Sequence, residues 1–179
     1  MQNLKKFILP ANFRGKNIFI VQLWNVVNFF FFKNSPQILY KWRVFLLRAF
    51  GAKIGENVKI RSSVTITYPW KITIGDYSWI GDNVTLYSLG EIIIGANVVV
   101  SQLSYLCTGS HDYISDGFDI FSKKIVIKDK VWLCTDVYIA PNVTINEGAI
   151  VGSRSSVFKD LESNMVYFGN PAKKVKNRI

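Results

Sequence analysis

A chain of 179 residues is about one domain's worth, long enough to bury a core without disulfide staples. Its 22 Lys plus Arg against 12 Asp plus Glu leave a net charge of +10, which favours anionic partners such as nucleotide phosphates, acidic glycans or lipid headgroups and selects none of them. The two cysteines, Cys107 and Cys134, have neither metal-ligand spacing nor a disulfide framework, and no nucleic-acid motif or dense basic stripe occurs in the repeats, so nucleic acid is not an expected partner.

Lys5 and Lys6 precede an apolar region, but no small-residue cleavage site follows, so the expected location is cytoplasmic, with both thiols reduced. Residues 17–32 carry no formal charge and include four consecutive phenylalanines. Gln22, Asn25 and Asn28 interrupt them at three-residue spacing, which predicts an amphipathic helix rather than a membrane span of about 20 mainly apolar residues. Such a helix either packs on the main domain or lies on the inner face of the cell membrane as a peripheral contact. A second helix is predicted over 36–50, with Pro36 in its first turn, Arg43 and Arg48 exposed, and Gly51 as its stop. Residues 1–51 therefore read as an N-terminal helical cap.

After Gly51 aliphatic residues recur every six positions: Ile54, Ile60, Ile66; Ile74, Ile80, Leu86; Ile94, Val100, Leu106. The period resumes at Ile127 and runs through Leu133, Ile139, Ile145 and Val151 to Val157. Two residues before most of these stands a second small or β-branched residue, among them Val58, Ser78, Ser104, Val137 and Ser155, which is strand spacing for one inward face. Gly55, Gly75, Gly81, Gly95 and Gly152 follow the aliphatic position, and Asn57, Asn83, Asn97 and Asn142 come three after it; these types suit corners and positive φ. A strand and a corner in every six residues predict a parallel β-solenoid over 52–166, whose coils bury a core that no single repeat buries alone. The segment 112–124 lacks the pattern and is expected to project as a loop, and residues 167–179 read as a basic tail.

This repeat resembles that of the hexapeptide acyltransferases, which implies a mainly β fold, a left-handed parallel β-helix with three hexapeptides per triangular coil. The hand comes from the resemblance alone, since general crossover preference is right-handed. Longer blocks extend the likeness: SPQILYKWRVFLLRAFGAKIG, ITYPWKITIGDYSWIGDNVTLYSLGEIIIG, SYLCTGSHDY and GNPAKKVKNR are similar to the acetyltransferases of colanic acid and other exopolysaccharide assembly. The resemblance implies an O-acetyltransferase moving acetyl from acetyl-CoA to a sugar hydroxyl in exopolysaccharide, capsule or lipid-linked glycan biosynthesis. It also implies a homotrimer with the acetyl-CoA cleft between neighbouring solenoids.

His111 is the one histidine and lies where the period breaks. By resemblance, Gly109-Ser110-His111 matches the family's catalytic histidine at the base of a projecting loop, and imidazole is the side chain suited to taking a hydroxyl proton near neutral pH. Asp112 is assigned to acceptor binding or loop structure, because neighbours on an extended segment point to opposite faces. Thr135 follows Trp132 by three, where related sugar acetyltransferases place a serine at the thioester site, so Thr135 is the candidate oxyanion donor, with a plain corner residue as the alternative. Trp132, Thr135, Ser153, Lys159 and Lys176 are the candidate acetyl-CoA contacts, and the tail cations read either as phosphate contacts or as a solvated tail. An acceptor-binding asparagine of the galactoside and maltose acetyltransferases aligns with Gly81, leaving Asp82 and Asn83 as candidate acceptor contacts. Trp79, Tyr87, Tyr105 and Tyr138 face outward, for a sugar ring or a neighbouring subunit.

A single histidine per chain does not provide the three-histidine zinc site found on other solenoids, so no metal is expected. The alternatives are an acetyltransferase for an antibiotic or amino sugar and a non-catalytic solenoid scaffold.

Overall fold

The computed structural model describes residues 2–179. The aliphatic period is the stacking period of the fold: five coils of three short strands form three parallel faces, and a sixth coil begins with Leu161 bridged to Ile145 on face A and continues as Met165–Phe168 on face B. Face A runs from Lys53–Ile54 to Thr144–Ile145, face B starts at Lys59–Ile60, and face C runs from Thr65–Ile66 to Ser156–Val157. The register superposes equivalent residues, as in Ile54↔Ile74↔Ile94↔Ile127↔Ile145 on face A. On face B the ladder is Ile60↔Ile80↔Val100↔Leu133↔Val151↔Tyr167. Every periodic aliphatic residue is buried, with Ile54 in the first coil the most exposed at 8%. Each such side chain contributes about 1.5–3 kcal/mol, and strands of two or three residues persist only because the neighbouring coil completes their burial.

The inward serines interrupt the apolar core at no cost in unpaired groups. Ser78 Oγ donates to Gly95 O (2.7 Å) and accepts from Val98 N (3.0 Å), both one coil further on. Ser104 Oγ donates to Cys134 O at 3.0 Å, and Ser155 Oγ accepts from Gly169 N at 3.0 Å. Buried hydroxyls thus cross-link successive coils.

The corners correct one sequence expectation. Asn57, Asn83, Asn97 and Asn142 do adopt positive φ, between 53° and 66°, but the five repeat glycines do not. Their requirement is proximity: a Cβ on Gly75 would stand 2.6 Å from Gly95 C, the backbone of the next coil.

The cap closes the N-terminal end of the solenoid. Helix α1, Ile18–Val27, starts where the Asn17 carboxamide accepts from Ile20 N at 3.0 Å, and it runs on as a π-helical turn, Asn28–Lys33. Helix α2 is Tyr40–Ala49, shorter than the 36–50 expected, because residues 36–39 form a turn in which Leu39 N bonds Pro36 O. That turn is held by Arg43, which is fully buried rather than exposed. Its guanidinium donates to Ile60 O (2.7 Å), Ser35 Oγ (2.9 Å), Pro36 O (2.9 Å) and Gln37 O (2.8 Å), and burial lowers its pKa. Trp24 adds a bond from Nε1 to Ile66 O at 3.0 Å.

Two segments outside the repeat are more ordered than their composition suggests. The projecting segment is a hairpin, with Gly109–His111 antiparallel to Ile120–Ser122 and residues 112–119 at its tip. The basic segment expected as a tail returns as a strand, Lys173–Asn177, antiparallel to Met165–Phe168 on face B.

Candidate active site

His111 ends the outgoing arm of the hairpin, at the corner between faces C and A, and pairs in register with Ile120. Its Nδ1 lies 2.7 Å from Phe118 O. A peptide carbonyl only accepts, so the proton of the neutral ring sits on Nδ1 and Nε2 is left with its lone pair free. The Phe118 ring stacks on the imidazole at 4.2 Å and 7°, which fixes the ring plane as well as the tautomer. Asp112, the sequence neighbour, does not orient the imidazole; its Oδ1 accepts from Ile114 N at 2.9 Å and shapes the hairpin tip. Beside His111 opens a cleft of about 350 Å³ lined by Ser110, Asp112, Tyr113, Phe121 and Lys123.

The extreme N-terminal segment lies against the hairpin. Asn3 N bonds Asp116 O at 2.7 Å, Lys6 Nζ pairs with the Asp116 carboxylate at 2.8 Å, and the Phe7 ring centre is 6.2 Å from that of His111. Downstream the same segment is pinned to the solenoid, since Trp70 Nε1 donates to Arg14 O and Lys71 Nζ to Phe13 O, each at 2.7 Å. Lys71 also bonds Leu89 O, and its burial pushes the amine pKa down.

The remaining candidates lie elsewhere on the triangular prism. Trp132 is on face B, half-exposed, with Nε1 donating to Ser101 Oγ at 3.1 Å. Thr135 follows it at the corner between faces B and C. Because Leu133 pairs with Val151, Ser153 occupies the equivalent corner one coil on. Trp132 continues through Ile150 and Val166 to Lys176, a column of three ladder steps or about 14 Å. Lys159 instead sits past face C, beside Pro171 and Lys173 in a cleft of about 240 Å³. The pKa of Cys134, next to Thr135, is raised by burial, so its thiol stays protonated.

Gly81 marks the end of a cleft on face B, of about 320 Å³, with Tyr40, Lys59, Arg61, Trp79 and Gln102. A Cβ at Gly81 would fall 2.8 Å from Gln102 N, so this backbone admits no asparagine there. Asp82 is engaged by Arg61 (2.8 Å) and by Ser63 Oγ (2.9 Å), and the Arg61 hydrogen bond holds its carboxyl below the usual range. Asn83 forms the positive-φ corner and its N bonds Ser63 Oγ at 3.0 Å.

Within one chain, therefore, Trp132, Thr135, Ser153 and Lys176 share one side of the prism, while His111 and Lys159 share a different edge. Face C separates them by one side of the triangle, roughly 15 Å. Its outer surface carries a continuous aromatic ladder in which Tyr105 and Tyr138 stack at 6.1 Å, with Tyr87 and Phe158 at its ends. Burial and the neighbouring Cys107 push the Tyr138 phenol up to about 12. Among the described residues no group of three or more His, Cys, Asp or Glu is placed to hold a metal ion.

No family model matches the chain. An Escherichia coli (strain K12) protein named as the colanic acid biosynthesis acetyltransferase WcaF is 60% identical over 179 residues, covering 100% of this chain and 98% of that protein. The chain belongs to this acetyltransferase family. A galactoside O-acetyltransferase from the same organism is 29% identical over 148 residues, 81% of this chain and 73% of that one. In fold, the chain matches the hexapeptide-repeat acetyltransferase VCA0836 from Vibrio cholerae with a TM-score of 0.83 at 24% identity, covering 97% of each chain. The same Vibrio protein complexed with acetyl coenzyme A gives 0.79 at 23% identity over 88% of this chain and 86% of that one.

For this family member, sequence reasoning missed Phe118, whose carbonyl and ring both hold His111. The only sequence signal was that a segment leaving and re-entering one corner must close as a hairpin, which puts a residue near 118 opposite His111. Phe7 and Lys6 carried no signal, because nothing periodic marks a segment that reaches across the molecule.

Proposed function

We propose that this acetyltransferase is an O-acetyltransferase that moves acetyl from acetyl-CoA to a sugar hydroxyl of an exopolysaccharide, capsule or lipid-linked glycan intermediate, with His111 as general base. The observation that carries the base assignment is the Nδ1-to-Phe118 hydrogen bond, because it leaves Nε2 unprotonated and able to accept. The acceptor class rests on the relatives named for colanic acid and galactoside acetylation, and the donor on the relative complexed with acetyl coenzyme A.

In the proposed reaction His111 Nε2 takes the proton of the acceptor hydroxyl as that oxygen attacks the thioester carbonyl. A donor at Thr135 stabilises the developing oxyanion, a contribution of about 3–4 kcal/mol where such donors are preorganised. The tetrahedral intermediate then expels the CoA sulfur, which recovers the proton from the imidazolium. No enzyme nucleophile is consumed, in keeping with a Cys134 thiol held neutral by burial. Trp132 and Ser153 line the pantetheine path, and Lys176, with Lys159 of the other edge, faces the CoA phosphates.

This chemistry requires two edges of the prism to meet, which one chain does not achieve. The proposed homotrimer solves that: the His111 edge of one copy faces the Thr135 edge of the next, and a heterologous contact that closes after three steps gives three equivalent sites. The aromatic ladder on face C lies between those edges, where such a contact would cover it.

The decisive experiment is acetyl transfer by purified His111→Ala against a panel of nucleotide sugars, lipid-linked oligosaccharides, amino sugars and antibiotics. Loss of about 10²–10⁴ in kcat with acetyl-CoA binding retained is the expected result. Equal rates for parent and variant sink the general base, preference for an antibiotic or amine acceptor replaces the sugar-hydroxyl assignment, and a parent protein that never binds CoA leaves a scaffold.

A further inference from the structure

The outward side of the cap is apolar where the outside of a soluble protein is expected to be polar. On α1 and its π-helical extension, Phe19, Leu23, Val26 and Phe30 recur at helical spacing on one stripe, 51–82% exposed, opposite the buried Val21 and Trp24. In the turn before α2 and on α2 itself, Ile38, Trp42 and Phe45 are 82%, 38% and 59% exposed. Trp42 Nε1 donates to Phe31 O at 3.1 Å and its ring stacks on Phe45 at 5.7 Å, so the two groups join into one surface. Patches of this extent mark a docking surface.

Charge identifies the occupant. Nine Lys or Arg and no Asp or Glu precede Glu56, whereas the remainder of the chain has 13 basic and 12 acidic residues. Nearly all of the +10 net charge therefore belongs to the cap and its approach. Lys16, Lys33 and Lys41 of the cap are exposed, Lys33 with its ammonium 3.4 Å from Thr65 Oγ1. A second copy of the same face would meet it with like charge, while an anionic bilayer offers apolar depth under a negative rim. Among the described residues no helix is long and apolar enough to cross a membrane, which leaves attachment in the plane of the surface.

We propose that this face docks the protein on an anionic lipid surface, with Phe19, Leu23 and Phe30 inserted at headgroup level and the exposed cap lysines on lipid phosphates. The helices then lie parallel to the bilayer, and the solenoid carries the transfer site away from it. Docking of this kind is independent of the transfer chemistry, because lipid binding is read without turnover.

The test is co-sedimentation of the full chain with vesicles of phosphatidylcholine alone, or of phosphatidylcholine with one-third phosphatidylglycerol, at low and high salt. Expected is binding to the anionic vesicles that weakens with salt. The triple variant Phe19→Ser, Leu23→Ser, Phe30→Ser should lose at least about tenfold in apparent affinity, since each removed side chain withdraws apolar area from the lipid. Acetyl-CoA binding of this variant should equal that of the parent. Phe19→Ser alone, at the most exposed of the three positions, should show the same direction if the triple variant fails to fold. Binding to neither vesicle, or equal binding by parent and variants, overturns the proposal. A variant whose assembly mass drops also overturns it, because the face would then be buried between copies.

Discussion

Placing an asparagine at Gly81 is a direct test of how closely the coils approach. In the present backbone a Cβ at this position lies 2.8 Å from Gln102 N and 3.0 Å from Ser101 C and Val100 O, all main-chain atoms of the next coil. No side chain can rotate away to admit it, so the coils must separate. Gly81 N bonds Val100 O at 2.8 Å, and that ladder contact is the first lost. Overpacking of this kind costs about 1–3 kcal/mol, and one or two weakened hydrogen bonds add about 0.5–1.5 each, for roughly 2–5 kcal/mol in all. In a chain of this size that corresponds to a fall in Tm of roughly 5–15 °C. Thermal unfolding of Gly81→Asn followed by circular dichroism measures it, with Ser153→Ala at an exposed corner as the near-neutral comparison. A Gly81→Asn protein melting within a degree or two of the parent refutes the close approach and reopens position 81 as an acceptor contact.

Two further outcomes follow from groups outside the reaction path, one buried and one half-buried. Arg43→Met removes the donors to Ile60, Pro36 and Gln37 carbonyls, and the unpaired Ile60 carbonyl beneath the cap makes a loss of about 2–4 kcal/mol the expectation. Limited trypsin digestion should then cut within the cap at temperatures where the solenoid stays protected, and an unchanged cleavage pattern counts against Arg43 as the residue that holds the cap to the solenoid. The Tyr138 phenol, pushed up to about 12 by burial, stays protonated in the folded protein beyond the ordinary tyrosine range. Its raised value makes a contribution to stability that is complete below about pH 10 and is lost as pH rises towards 12. Denaturant unfolding at pH 9 and 11 should show that loss in the parent and less of it in Tyr138→Phe; equal losses refute the assignment.

The solenoid was legible because six residues make one side of a coil, so Ile54 through Val157 announce both the strands and the direction in which they stack. The inward serines were legible too, since a residue two before the aliphatic position shares its face. The reason for the repeat glycines was not, because close approach between Gly75 and Gly95 depends on how coils nest rather than on local φ. Arg43 read as exposed because helix spacing shows which face a residue occupies, while its burial is set by the carbonyls of another segment. For the site, His111 was legible from its place at the break in the period. The carbonyl of Phe118 and the reach of Phe7 across to the hairpin arise from chain reversals that leave no periodic trace.

The hairpin bearing His111 leaves and rejoins the solenoid without disturbing it: Ile74 pairs with Ile94 one ordinary coil later, and Ile94 pairs with Ile127 in the same register across the whole excursion. The core is thus blind to the length of what projects from that corner. Doubling such an excursion costs only about 0.6 kcal/mol in closure entropy, so hairpins of different length and lining can be exchanged there while every ladder beneath stays in step. A single scaffold can in this way be refitted to new acceptors at small cost in stability, as long as each exchanged hairpin still turns a carbonyl to the histidine where Phe118 does now.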